Sequence, residues 1–416
     1  MPDDTTSDLP RQPARRSAVP AFIVMDVISA AARRAAAGEH IIHMEVGQPG
    51  TPAPAIAREA VKRLIDRSTL GYTEALGIPA LRTRIARHYR DSYGIDVAPE
   101  RVIVTSGSSA AFVLAFLALF DAGERVLLPS PGYPCYRHIL SALGIDSVLA
   151  ETGPDTRWMP TARHIADTPG IVGALIASPA NPTGSMLEPE RLAEIVAACR
   201  RRRIWFISDE IYHGLTYTLP GRTALEYGSE AIVINSFSKY FSMTGWRIGW
   251  MVVPPGLVRT IERLAQNLYI SPSAVSQAAA LAAFDAGPEL ESNRAVYRAN
   301  RELLLAELPR IGLDRIVPAD GAFYLYVDVS RHTDDSGAFA AQMLAETGVA
   351  ATPGIDFDEA RGRHFLRLSY SGPTADMAEA VRRLSLWSRL QCGVTDRSGA
   401  SPDAAVDPCF PQSGRN

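Results

Sequence analysis

Short runs of β-branched and other apolar residues alternate with helical patterns along the middle of this chain, and this alternation restricts its fold more than any other feature. The runs are almost continuously apolar, as expected for strands buried on both faces. They lie at Val102–Thr105, Arg125–Leu128, Ile171–Ala177, Ile204–Ser208, Ala231–Asn235 and Arg247–Val253. The pattern predicts an α/β fold with a largely parallel sheet covered by helices on both faces.

The clearest helical pattern lies between two of these runs, from Glu188 to Arg203. A proline at its start and a basic run at its end, Arg200–Arg203, are both typical of helix termini. Its apolar positions follow the spacing i, i+3, i+4, i+7 and are Leu192, Ile195, Val196 and Cys199. This spacing predicts that Cys199 is a core residue and not a nucleophile.

The chain divides into one large predicted unit, a smaller one and two tails. Residues 51–285 are predicted to form the large α/β domain. Residues 286–392 read as a smaller α+β domain, which residues 19–50 are expected to join. The elements predicted outside the large domain are a helix at Phe22–Ala37, a helix over 286–310, a strand at Ala322–Val329, a helix at Ser336–Thr347 and a strand near Phe365–Ser369. Residues 1–18 and 393–416 are rich in Pro, Ser, Asp and Gly, which predicts disorder.

Charge and composition exclude several classes of partner. With 42 basic and 45 acidic side chains the net charge is −3, which provides no field to hold nucleic acid or an acidic membrane surface. The longest apolar run, Ala110–Phe120, is far shorter than the roughly 20 residues that span a bilayer. The four cysteines form no CxxC pair, and the first residues lack the apolar segment of a secretory signal. These features predict a cytoplasmic protein.

Polar residues follow several predicted strands, where open α/β sheets bind ligands. After Val102–Thr105, the small residues of Ser106–Ser109 precede an apolar helix, and free backbone N–H groups there could bind a phosphate. A capping turn explains these residues equally well. After Ile171–Ala177, a loop with two prolines and a glycine contains Asn181, although most such loops are plain turns.

An acid and an amine follow the next two strands. Asp209 comes directly after Ile204–Ser208, where a buried carboxylate needs a cation, although a helix N-cap is an equally good interpretation. Lys239 lies among Phe237, Tyr240 and Phe241, so desolvation should lower its proton affinity, as a Schiff-base lysine requires. Together with a nearby arginine, these groups suit a phosphorylated cofactor with a ring nitrogen and an aldehyde, which is pyridoxal phosphate.

At these residues the chain closely resembles the fold-type I, class I/II pyridoxal-phosphate aminotransferases, the aspartate-aminotransferase-like family. The segment from Ser236 to Gly249, SFSKYFSMTGWRIG, is similar to the family's Schiff-base signature. The segments 181–184 (NPTG), 209–212 (DEIY), 71–72 (GY) and 77–82 (GIPALR) match in the expected order. The resemblance extends from about Pro20 to Leu390, and it implies a seven-stranded sheet in the large domain.

The resemblance assigns roles around the cofactor ring. Lys239 would form the Schiff base and later transfer the substrate proton. Asp209 would pair with the pyridine nitrogen, and Tyr212 would hydrogen-bond the phenolic oxygen. Asn181 would share that oxygen and border the substrate, and Tyr133 would stack on the ring.

It also implies a phosphate site and a homodimer with shared active sites. The phosphate would bind Ser108, Ser109, Ser236 and the charged fork of Arg247. Tyr72 would reach the phosphate in the neighbouring subunit.

Substrate contacts are implied in the same way. Arg367 resembles the arginine that clamps the substrate α-carboxylate. Without the resemblance, Arg367 would be interpreted as a surface residue of a strand. Gly47 resembles the backbone contact beside that carboxylate. One departure is Asp358, which replaces a customary glycine after a phenylalanine near the substrate and makes specificity less predictable. His40 and His43 lack a third ligand nearby, so no metal site is expected.

The implied function is an aminotransferase that moves the amino group of an L-amino acid to a 2-oxo acid by a ping-pong mechanism. A carbon–sulfur β-lyase on the same scaffold is the alternative, since the substrate pocket decides the reaction. A non-catalytic regulator that binds pyridoxal phosphate is the third hypothesis. Such regulators normally carry a DNA-binding domain ahead of this region, and about 18 polar residues are too few for one.

Overall fold

A seven-stranded sheet lies at the centre of the structure, a computed structural model that describes the backbone of residues 11–395 and the side chains of residues 11–389. Its strands are β2 (Val102–Thr105), β3 (Arg125–Ser130), β4 (Asp146–Glu151), β5 (Ile171–Ala177), β6 (Trp205–Asp209), β7 (Ile232–Ser236) and β8 (Gly249–Val252). Their spatial order is β2-β8-β7-β6-β5-β3-β4, and β8 runs in the direction opposite to the other six strands. The prediction of a mostly parallel sheet is confirmed.

Several strand ends in this sheet differ from the sequence-based expectation by one or two residues, and the differences at β4 and β8 have clear physical reasons. The edge strand β4 was not predicted, because its residues are mostly exposed or half-buried and form no continuous apolar run. Strand β8 begins at Gly249 and not at Arg247, because Arg247 has left-handed backbone angles, with φ of 50°. The antiparallel direction of β8 could not be predicted either, because a run of apolar residues does not indicate the direction of a strand.

Helices cover both faces of this sheet, and alternate residues of each strand enter two separate cores. The helices of this unit are α2 (Ala55–Ile65), α3 (Pro79–Tyr93), α4 (Gly107–Leu119), α5 (Pro134–Ala142), α6 (Ala162–Asp167), α7 (Pro189–Arg202), α8 (Pro255–Leu268) and α9 (Ala274–Ala283). In β2, Val102 and Val104 face the core beneath α2, α3, α7 and α9, whereas Ile103 faces the core beneath α4, α5 and α8. Cys199 on α7 is buried in the first core, as its spacing predicted.

A third apolar core lies around a four-stranded antiparallel sheet outside the large sheet, in a part of the chain that we call the second unit. Its elements are α1 (Ile23–Ala36), β1 (Ile42–His43), α10 (Gly287–Glu307), β9 (Arg315–Ile316), β10 (Tyr324–Asp328), α11 (Ser336–Thr347), β11 (Val349–Ala350), β12 (Thr352–Pro353), β13 (Phe365–Ser369) and α12 (Thr374–Thr395). The strand order in the four-stranded sheet is β12-β13-β10-β9. The strand β1 of the N-terminal segment pairs in parallel with β11, which attaches that segment to the second unit. The domain boundaries given above stay predictions.

The structure describes only part of the two tails, residues 1–18 and 393–416. Of the residues predicted to be disordered, 1–10 and 396–416 lie outside the described part of the chain. Within residues 11–395, α12 continues to Thr395 and one exposed 3₁₀ turn occupies Arg15–Ser17. No helix in the described part is long and apolar enough to cross a membrane.

Candidate active site

A cavity of about 750 Å³ opens where the carboxyl ends of the central strands meet the second unit. Nine of the twelve residues predicted for the site line it, namely Gly47, Ser108, Ser109, Tyr133, Asn181, Tyr212, Lys239, Arg247 and Arg367. Asp209 and Ser236 are buried just behind this wall at the ends of β6 and β7. Tyr72 lies outside the cavity with 84% of its surface exposed.

Lys239 projects into the cavity from the loop after β7. Its ammonium nitrogen Nζ donates to the carbonyl oxygen of Gly47 and lies 5.6 Å from the ring centre of Tyr212. Burial lowers the pKa of Lys239 to about 7, with further lowering by Arg367 and Arg247 and opposition from Asp209.

The source of this desolvation differs from the expectation. The rings nearest the ammonium group are Tyr212 and Phe323, the latter at 5.8 Å. Phe237 and Phe241, the sequence neighbours, instead pack into the core beneath the sheet. Sequence proximity therefore predicted the right effect from the wrong side chains.

Asp209 is the last residue of β6 and is fully enclosed. One carboxylate oxygen, Oδ1, accepts from the backbone N–H of Ile211 at 3.1 Å, and the other accepts from the hydroxyl of Tyr136. Burial raises the pKa of Asp209 to about 6, while these two hydrogen bonds oppose the rise. Among the described residues no cation forms an ion pair with it, so the carboxylate fits a positively charged group at the end of the strand.

The N-terminus of α4 and Arg247 form a place for an anion. Ser108 and Ser109 occupy the first turn of this helix, where backbone N–H groups and the helix dipole favour negative charge. Gly107, with φ of 78°, lies directly under Arg247: a Cβ there would be 2.6 Å from the guanidinium atom Nη2. Within the described chain Arg247 has no acidic partner, and its Nη1 donates to the carbonyl of Thr244 at 3.1 Å.

Ser236, predicted to offer a hydroxyl to the phosphate, lies behind the residues that line the cavity. Its hydroxyl is buried and lies 2.9 Å from the hydroxyl of Ser238, which does line the cavity. We therefore expect Ser238 to present the nearer hydroxyl, while Ser236 supports it from behind.

Arg367 lies in the middle of β13 with only 2% of its surface exposed, which excludes the surface-strand interpretation. The rings of Tyr324 and Phe357 enclose its guanidinium at 4.5 Å and 4.7 Å. Its Nη1 donates to Oδ1 of Asn181 at 2.9 Å, and Nη2 donates to the carbonyl of Glu45. Its buried Nε has no hydrogen-bond partner among the described residues. A buried arginine held this way is suited to a carboxylate.

Three contributors to the site were not predicted. Tyr136, which binds Asp209, lies one helical turn after Tyr133 on α5, and that spacing was the signal that could have found it. Tyr324 is hydrogen-bonded to Tyr212 with 2.8 Å between their hydroxyl oxygens. Tyr324 carries no sequence signal, because its contacts join segments that are distant in the chain. Ser238 lies within the segment that resembles the Schiff-base signature, but which hydroxyl of that segment faces the cavity depends on the turn.

Asp358 stabilises the loop in which it lies through contacts with residues two and three positions later. Its carboxylate accepts from the backbone N–H groups of Ala360 and Arg361 and forms an ion pair with Arg361 at 2.8 Å. Arg361 in turn donates to the carbonyls of Thr152 and Ser130 in the large unit. The substitution therefore fastens this loop to the segment that precedes Tyr133.

The two histidines considered as metal ligands have other partners. Nδ1 of His43 lies 2.8 Å from Oε1 of Glu45, and Nδ1 of His40 lies 2.8 Å from Nη2 of Arg383. Across residues 11–389 no group of three or more His, Cys, Asp or Glu side chains could hold a metal ion.

Comparisons with known proteins place this geometry in a family. The family model described as aminotransferase class I and II matches residues 39–384. The valine–pyruvate aminotransferase of Mycobacterium tuberculosis is 50% identical over 379 residues, which cover 90% of this chain and 98% of that protein. A (5-formylfuran-3-yl)methyl phosphate transaminase of Methanocaldococcus jannaschii is 34% identical over 87% of this chain and 95% of its own length.

Solved structures agree with these relatives. An aminotransferase from Mycobacterium tuberculosis superposes with a TM-score of 0.90 at 49% identity, covering 92% of this chain and all of the other. Aspartate aminotransferase from Thermus thermophilus with maleate superposes with a TM-score of 0.85 at 30% identity, covering 90% and 99%. The cavity, its lysine, its buried acid and its arginine thus lie in a chain that belongs to the class I and II aminotransferases and is itself a transaminase.

Proposed function

We propose that this aminotransferase carries pyridoxal 5′-phosphate in the cavity and moves the amino group of an apolar L-amino acid, such as valine, to pyruvate or a similar 2-oxo acid. The observation that carries the proposal is the position of Lys239. Its amine lines the cavity and has a pKa of about 7, and the charges of a buried acid, Asp209, and a buried arginine, Arg367, both act on it. An amine that is partly neutral at physiological pH is what attachment of an aldehyde cofactor requires.

The unpaired charges of the site fit this cofactor. Arg247 and the first turn of α4 would hold the phosphate, and Asp209 would pair with the ring nitrogen. Tyr133 would lie against the ring, while Tyr212 and Asn181 would contact its phenolic oxygen. The cofactor, when bound, supplies an electron sink for the bonds around the amino acid's Cα.

The chain's own residues bind the substrate and move its proton. Arg367 would clamp the α-carboxylate next to the backbone of Gly47, with the guanidinium oriented by Asn181 and by the rings of Tyr324 and Phe357. The neutral amine of Lys239 would accept the proton from Cα of the substrate and deliver it to carbon C4′ of the cofactor. The surrounding rings limit the access of water to this amine.

The cavity wall favours an apolar donor. Phe22, Val24, Met25 and Ile28 at the start of α1, with Ile139 from α5, form its apolar side. Among the described lining residues the ammonium and guanidinium groups are Lys239, Arg247 and Arg367, each already assigned to cofactor or α-carboxylate. Among the described residues that line the cavity, no lysine or arginine is then left to bind a carboxylate in the side chain of the substrate. The relative with 50% identity carries the name valine–pyruvate aminotransferase, which supports the same choice.

We also propose a homodimer that shares its active sites. Tyr72 is 84% exposed, and large apolar side chains near it are exposed as well: Leu70, Leu268 and Ile270. The backbone N–H of Thr73 donates to the hydroxyl of Ser271 at 3.3 Å, which holds these two loops together. An apolar patch of this kind is typical of a protein interface. The cytoplasmic location stays the prediction made from the sequence.

The test is a titration of the purified protein, reconstituted with pyridoxal phosphate, with single L-amino acids and no oxo acid. We expect valine to replace the visible absorbance band of the cofactor by a different, stable band, in proportion to the amount of valine added. Pyruvate should then restore the original band. Conversion by aspartate alone would contradict the proposed donor. A band that returns while ammonia and an oxo acid accumulate would indicate the lyase. No band after reconstitution would reject the cofactor.

A further inference from the structure

One buried side chain, Tyr324 on β10, contacts the three parts of the site that handle cofactor and substrate. Its hydroxyl oxygen lies 2.8 Å from that of Tyr212, and its ring lies under the Arg367 guanidinium at 4.5 Å. The same hydroxyl fills the space beside Gly47, where a Cβ would clash with it. Tyr324 is 1% exposed, so these contacts fix its position.

The number of hydroxyl protons decides how the two tyrosines can share their hydrogen bond. Each phenol has one proton to donate and can accept as well. In the described chain the hydroxyl of Tyr212 has only Tyr324 as a hydrogen-bond partner, and either could donate. If Tyr212 gives its proton to a ligand oxygen, the bond between the tyrosines has to be donated by Tyr324.

We propose that Tyr324 is a positioning residue that donates its hydrogen bond to Tyr212 and thereby directs the single proton of Tyr212 at the phenolic oxygen of the cofactor. The inference rests on the proposed cofactor and goes beyond it. A hydroxyl that accepts a hydrogen bond is polarised into a stronger donor, so Tyr324 increases the stabilisation that Tyr212 gives to negative charge on that oxygen. Its ring at the same time holds Arg367 in place.

The test uses phenylalanine variants, which remove one hydroxyl and keep the ring. Tyr324→Phe removes the proposed donor, Tyr212→Phe removes the residue through which it acts, and a double variant combines the two changes. Tyr326→Phe is the matched control: it lies two residues along the same strand, is equally buried, and its hydroxyl has no hydrogen-bond partner among the described residues. The readout is the pH midpoint of the visible band of each reconstituted protein, with the melting temperature measured alongside.

We expect the midpoint to rise in Tyr324→Phe, by on the order of 0.5 of a pH unit, and to rise further in Tyr212→Phe. The direction follows because weaker donation to the phenolic oxygen disfavours the form of the lysine-bound cofactor that has lost its proton. The double variant should match Tyr212→Phe, since Tyr324 acts through that residue. Tyr326→Phe should keep the wild-type midpoint.

Two results would overturn the inference alone: a Tyr324→Phe midpoint equal to that of wild type, or a double variant whose shift is the sum of the single shifts. A shift of equal size in Tyr326→Phe would also overturn it, because loss of any buried hydroxyl on this strand would then suffice. If the wild-type protein shows no visible band, the proposed cofactor is wrong and the inference fails with it.

Discussion

At the scale of single residues, burial sets the protonation of the groups that react. Lys239 has a pKa of about 7 because it is enclosed and lies near two guanidinium groups. The neutral amine is the nucleophile, and its fraction rises with pH until the pH exceeds the pKa. We therefore expect the rate at which cofactor-free protein captures pyridoxal phosphate to rise through about pH 7 and then level off.

Stopped-flow absorbance between pH 5.5 and 9.5 measures this rate. Lys239→Ala is the control for non-specific capture of the cofactor, and this variant should also lose turnover. A rate that still rises about tenfold per pH unit above pH 8 would indicate a lysine of ordinary pKa and would contradict the burial argument.

Removal of the Asp209 carboxylate should leave cofactor binding intact but lower the rate of transamination. Asp209→Ala leaves the first turn of α4 and Arg247 unchanged, so the phosphate should still bind. Without the carboxylate the ring nitrogen is no longer held protonated, and we expect kcat/KM to fall by about three orders of magnitude. Steady-state kinetics beside a cofactor titration separates the two effects. A variant that keeps most of its activity would show that Asp209 has another role.

At the scale of elements, helix ends depend on individual caps. Asp335 precedes α11, and its Oδ1 accepts from the backbone N–H groups of Gly337 and Ala338 at 2.9 Å and 3.0 Å. Asp335→Ala leaves these donors without their partner, and we expect a loss of about 1 kcal/mol in the free energy of unfolding. Asp335→Asn retains the acceptor and should cost less. Urea denaturation measures both, and equal losses would show that the cap is not what stabilises this helix end.

At the scale of the whole molecule, the proposed dimer can be tested by mixing inactive proteins. If Tyr72 completes the site of its neighbour, Tyr72→Ala and Lys239→Ala each impair both sites of a homodimer. A mixed dimer then contains one site with both changes and one intact site. Random reassociation of equal amounts should restore about a quarter of wild-type activity. Size-exclusion chromatography would confirm exchange of subunits, and exchange without recovered activity would contradict a shared site.

The sequence could predict elements whose own residues carry the signal. Helix α11 and strands β2, β5 and β13 have the predicted bounds, and α7 differs from its prediction by one residue at each end. Strand β4 lacked such a signal because it lies at a sheet edge. The same limit applied in the site: motif residues such as Lys239 and Asp209 were found, whereas Tyr136 and Tyr324 were not.

By itself, then, the sequence determined the α/β class, the largely parallel sheet and the chemistry of the motif residues, because apolar periodicity and local motifs are properties of neighbouring residues. Only the tertiary structure decided which rings desolvate Lys239, which hydroxyl binds Asp209, and how Tyr324 joins Tyr212 to Arg367. These contacts join segments that lie far apart in the chain. Long-range packing sets their geometry, and packing brings together residues that no local pattern relates.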